Sequence, residues 1–84
     1  MAANPITRLR ERLRMSRVEL ARASGTNYQQ LARAELGYEV RLPRAAREAL
    51  AAFGEDPDSA ALEYRAWRES LRFSEEGQHE RREA

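Results

Sequence analysis

The 84-residue chain predicts a single all-α domain, and three observations lead there. Helix starts and stops recur at short intervals, with Asn4-Pro5, Ser16 with Glu19, Asn27 with Gln30 and Asp56-Pro57 as starts and Gly25, Gly37 and Gly54 as stops. Apolar residues return at three and four positions, and no run of four or more alternates β-branched or aromatic with polar residues. The length excludes a two-lobed enzyme with a cleft between domains.

The first helix is predicted over 5–14, where Asn4 is the cap, Pro5 fits a first turn that needs no N–H, and Ile6, Leu9 and Leu13 form the inner stripe. Ser16 and Glu19 form a capping box that opens the second helix, with Leu20 and Ala21 inward and Gly25 as its left-handed stop. The third runs over 27–36 to Gly37 and has a thin inner face, Leu31 and Ala34. The fourth spans 43–53 with Ala46, Leu50 and Phe53 inward. The fifth, over 57–73, carries Ala60, Tyr64, Trp67 and Leu71 on one stripe. Residues 74–84 are charged and nearly free of apolar side chains, which predicts a disordered tail.

Composition narrows the function classes. No cysteine and a single histidine, His79, leave no thiolate or multi-histidine metal set, so neither an enzyme nor a cofactor is expected. No apolar run reaches membrane-span length and no secretory signal opens the chain, so a cytoplasmic protein with no membrane partner is expected. The net charge of +1 hides an asymmetry. Residues 1–50 carry 10 Arg against 5 Glu, whereas the rest is acidic, so a polyanion is sought in the first half. A solvated arginine-rich helical surface is the alternative.

Two short helices within 16–37, joined around Gly25 with small Ala21 at their approach, have the pattern of a helix-turn-helix. With Ile6, Leu9, Arg10, Met15, Ser16, Glu19, Leu20, Leu31, Glu35, Gly37, Pro43, Leu50, Phe53 and Asp56-Pro57, the chain resembles the Cro and lambdoid-repressor type of helix-turn-helix protein, also called the xenobiotic-response-element family. The resemblance covers about residues 5–62. It implies a five-helix lambda-repressor-like DNA-binding domain, over 1–73 with the fifth helix extended, in which Arg10 pairs with Glu35. Two departures stand out. Arg17 occupies a position where the family most often has glutamine, and Ser24 replaces an apolar residue before the turn glycine.

The same resemblance makes 27–36 the recognition helix. Gln29 and Gln30 would read adenine bidentately, Arg33 would reach guanine or a phosphate, and Tyr28 a thymine methyl or a phosphate. Arg17, Asn27, Tyr38, Arg41 and Arg44 would grip the DNA backbone, supplying affinity without sequence information. Each has a plainer alternative as an exposed helix residue. The stripe of Tyr64, Trp67 and Leu71 overhangs a small domain, so a second copy is expected to cover it, with Glu63, Arg65, Arg68 and Glu69 at the rim; simple packing into the chain's own core is the alternative. The expectation is a homodimeric, nucleoid-associated transcriptional repressor on a two-fold symmetric site in double-stranded DNA. A protein-interaction module such as an antitoxin, with a partner on the C-terminal helix, and a restriction-modification controller remain the other readings.

Overall fold

A computed structural model describes the backbone of residues 2–83 and the side chains through Leu71. It contains α1 (Pro5–Leu13), α2 (Arg17–Ser24), α3 (Tyr28–Leu36), α4 (Arg44–Ala52) and α5 (Pro57–Glu83), with no strand among the described residues. Helix α5 continues ten residues beyond the expected end at 73 and takes in most of the expected tail at 74–84, where glutamate, glutamine and arginine are good helix formers; side chains beyond Leu71, His79 among them, lie outside the described residues. No helix among those described is long and apolar enough to cross a membrane.

The starts follow from side-chain chemistry. Asn4 Oδ1 accepts from the N–H groups of Ile6 and Thr7, at 2.9 and 3.4 Å, because those first-turn donors have no partner within the helix. Ser16 Oγ accepts from Glu19 N at 3.1 Å while the Glu19 carboxylate accepts from Ser16 N at 2.9 Å, completing the capping box. Asn27 Oδ1 accepts from Gln30 N at 3.0 Å. Helix α4 begins one residue later than expected. Pro43 stands at its cap and contributes no side-chain bond, because a proline ring carries no acceptor.

The stops share one geometry. Arg14, Gly25, Gly37 and Gly54 all have positive φ, and the next residue's N–H reaches back to the carbonyl five positions earlier. Those bonds join Met15 to Arg10, Thr26 to Ala21, Tyr38 to Arg33 and Glu55 to Leu50, each at 3.0 Å. Three stops are glycine, as the sequence signals. Arg14, at φ 56°, takes the left-handed conformation without that signal.

Ile6, Leu9, Leu20, Leu31, Leu50 and Tyr64 are fully buried, with Ala34, Ala46, Ala49 and Ala60 between them. Alanine at so many inner positions brings the helix backbones close, so a small domain still excludes water from its centre. Ser24, which replaces an apolar residue before the turn glycine, closes its own helix end. Its hydroxyl donates to Leu20 O at 2.7 Å and lies 2.8 Å from Thr26 Oγ1.

Gly25 and Gly37 both stop helices, but only Gly37 is also crowded. A Cβ added at Gly37 would lie 3.2 Å from Trp67 Cη2, whereas one at Gly25 would meet nothing within 4 Å. Gly25→Ala should therefore cost about 1–2 kcal/mol from the backbone conformation alone. Gly37→Ala should cost more, and Arg14→Gly should stabilise by up to about 1 kcal/mol, all read from urea unfolding at fixed pH.

Candidate nucleic-acid interface

Helix α3 presents two unlike faces. Leu31 and Ala34 are fully buried and Glu35 nearly so, while Asn27, Tyr28, Gln29, Gln30 and Arg33 are exposed. Neither the Gln29 nor the Gln30 amide has a hydrogen-bond partner among the described residues, so both are available to a ligand. The inner face anchors the helix.

Glu35 is that anchor's charged part. Its carboxylate accepts from Thr7 Oγ1 at 2.8 Å, from Arg10 Nε at 2.9 and 3.0 Å, and from Arg17 Nε at 2.8 Å; a terminal nitrogen of Arg10 bonds it as well. Helices α1, α2 and α3 therefore meet on one side chain. Burial alone would push the Glu35 pKa up, but the hydrogen bonds from Arg10, Arg17 and Thr7 and the charge of Arg10 outweigh it and hold the carboxyl below its ordinary value. The Arg10–Glu35 pair is present as the resemblance implied. Arg17, expected on a DNA phosphate, is drawn inward, and its Nε serves Glu35 first because a buried carboxylate needs donors that glutamine would supply without charge.

Asn4 is a site residue that sequence reading missed. While its Oδ1 caps α1, its Nδ2 donates to Ala34 O and Glu35 O at 3.1 and 3.2 Å, tying the start of α1 to the last turn of α3. An N-cap asparagine signals a helix start but carries no sign of a second, distant partner.

The far end of α3 is held by α5. Tyr64 donates its hydroxyl to Glu39 O at 2.6 Å, Arg68 Nε donates to Gly37 O at 3.1 Å, and Trp67 lies against Gly37. Tyr64, expected in a dimer contact, is fully buried within its own chain; its ring fills the space under the loop after α3 and it has no surface to offer a partner. Trp67 is half-buried, 5.7 Å from Tyr64 between ring centroids. Leu71 is 39% exposed. Two expected rim residues are engaged within the chain although both stay partly exposed: Arg68 as above, and Glu63, which pairs with Arg8 together with Glu55.

Of the remaining expected contacts, Arg33 is exposed but not free at Nε, which donates to Glu39 Oε1 at 2.6 Å, and its guanidinium carbon sits 5.9 Å from the centre of the Tyr38 ring. Glu39 raises the Arg33 pKa further through this bond. Arg41 is exposed with no ion-pair partner among the described residues. Arg44 is almost fully solvated and pairs one turn along with Glu48, at 2.9 Å. Tyr38 is exposed, and Asn27 keeps its amide nitrogen free of partners among the described residues.

No group of histidine, cysteine, aspartate and glutamate suited to a metal ion occurs among the described residues. Comparison with known proteins returns no matching family model, no matching curated sequence and no matching solved structure.

Because the folded pKa of Glu35 is lowered, its contribution to stability is complete above the ordinary carboxylate value of about 4.3 and is lost as pH falls through the lower folded value. The unfolding free energy should decline below about pH 4. Glu35→Gln should flatten that decline and cost on the order of 2–3 kcal/mol at neutral pH, less than a fully buried pair, because Arg10 and Arg17 each keep 25% of their side-chain area in water. Denaturant midpoints from pH 3 to 7 check both.

Proposed function

We propose that the chain is a sequence-specific DNA-binding transcription regulator of the Cro and lambdoid-repressor type, a repressor that reads a two-fold symmetric site as a homodimer through α3. The observation that carries this reading is the division of α3 between a face locked by Leu31, Ala34 and Glu35 and an exposed face of Tyr28, Gln29, Gln30 and Arg33. An α-helix fits the major groove, where side-chain amides and guanidinium groups distinguish base pairs by donor and acceptor pattern. Asn27 caps only the N–H of Gln30, which leaves the N–H groups of Tyr28 and Gln29 at the start of α3 without a partner among the described residues, and such first-turn donors favour phosphate. Arg41 and Arg44 on the following segment supply positive charge of the kind that grips a DNA backbone.

Selection of bound sites from a random duplex library tests the reading. A symmetric consensus is expected; no enrichment over bulk DNA overturns it in favour of a protein-interaction module. With the site known, at least one of Gln29→Ala and Gln30→Ala should lower specific affinity by roughly 1–3 kcal/mol without loss of helical content. Arg41→Ala should weaken specific and non-specific binding together and reduce the slope of log affinity against log salt by about one unit, measured by titration at several salt concentrations.

The dimer contact proposed on α5 narrows to Leu71 and the open edge of Trp67, since Tyr64 is core. Leu71→Glu should then sediment as a folded monomer and bind the symmetric site weakly, because the two half-sites are no longer linked. An unmodified protein already monomeric at tens of micromolar would remove α5 from any interface.

A further inference from the structure

We infer that Glu39 is a positioning residue that sets which edge of Arg33 faces DNA and thereby makes Arg33 a reader of guanine, an inference that rests on the DNA-binding reading of α3. A guanidinium offers bidentate donors either from Nε and one terminal nitrogen or from its two terminal nitrogens. Glu39 Oε1 occupies Nε at 2.6 Å, which leaves the terminal pair. Those two nitrogens have no hydrogen-bond partner among the described residues, and the Arg33 side chain is 56% exposed. Their parallel N–H groups match the O6 and N7 acceptors of guanine. The Tyr38 ring, 5.9 Å from the guanidinium carbon, stands over one face and limits the swing of the group.

The support behind Glu39 distinguishes this arrangement from a chance surface pair. Its backbone carbonyl accepts from the Tyr64 hydroxyl at 2.6 Å, and the Tyr64 ring is fully buried among core residues. Position is thus passed from core to Tyr64, from Tyr64 to the Glu39 backbone, and from the Glu39 carboxylate to Arg33. The carboxylate has a second effect. Its negative charge opposes the close approach of phosphate to Arg33, which lowers sequence-independent affinity while the end of the guanidinium stays open to a base. Glu39 would therefore favour discrimination over raw affinity.

The experiment compares the unmodified protein with E39Q, R33A and R33A/E39Q, using the duplex recovered from site selection, versions of it with each G·C pair changed to A·T, and bulk duplex DNA. E39Q keeps the shape of the side chain and lies on an accessible loop, and circular dichroism checks that it folds. E39Q should lose about tenfold of the preference for guanine at one position per half-site and bind bulk DNA more tightly. R33A should already lack that preference, and E39Q should remove none further in the R33A background. An enriched site whose base preferences survive E39Q unchanged overturns the inference and leaves the DNA reading intact, as does an equal loss in the R33A background. Failure of the unmodified protein to enrich any site overturns both.

Discussion

The architecture depends on the burial of one carboxylate. Glu35 sits at the last turn of α3, and an unpaired charge there would cost more than the domain can spare. Thr7 and Arg10 from α1 and Arg17 from α2 converge on it, so satisfying Glu35 fixes the mutual placement of three helices. Apolar packing of Leu31 and Ala34 alone would allow α3 to slide or rotate by small amounts, because dispersion has little directional preference. Short charge-assisted bonds from three directions do not permit that.

Asn4 and α5 complete the restraint at the two sides of the same helix end. Asn4 spends both ends of its amide, the oxygen on α1 and the nitrogen on carbonyls of α3, so the start of one helix and the finish of another share one buried group. On the other side Arg68 donates to the Gly37 carbonyl and Trp67 fills the space that a side chain at Gly37 would need. The C-terminal half of α3 is held from several directions while its N-terminal turns stay open. In the DNA-binding reading, this preorganises the exposed face, since side chains that present to bases lose little further freedom when their helix is already immobile.

The long C-terminal helix takes on a different meaning once its stripe is placed. Ala60 and Tyr64 complete the core, and Trp67 continues it toward Gly37, so much of the apolar surface that a second copy was expected to cover is covered by the chain itself. Tyr64 also ties the loop after α3 through Glu39, which couples α5 to the segment carrying Tyr38 and Arg41. The phenol is pushed above its ordinary pKa by burial, in keeping with a hydroxyl that stays a donor.

Helix number, most helix ends and most of the core were legible in the chain because they rest on local rules, the end of α5 being the exception. Caps at Asn4, Ser16 and Asn27, the stops at Gly25, Gly37 and Gly54, and the stripes through Ile6, Leu9, Leu31 and Leu50 each depend on residues within a few positions of one another. Arg14 escaped notice because its left-handed conformation is imposed by the bonds of the chain around it, with no glycine to announce it. The exposed face of α3 was also readable, since polar residues opposite a thin apolar stripe must face water. Only tertiary structure decided which charges pair: the Nε of Arg17 with Glu35, Arg33 with Glu39, Glu63 with Arg8, and the second bond of Asn4 to α3. It also decided that Tyr64 belongs to the core. The physical reason is that a local pattern specifies which face of a helix is apolar, whereas the partner met by a long polar or aromatic side chain depends on how separate helices are set against one another in space.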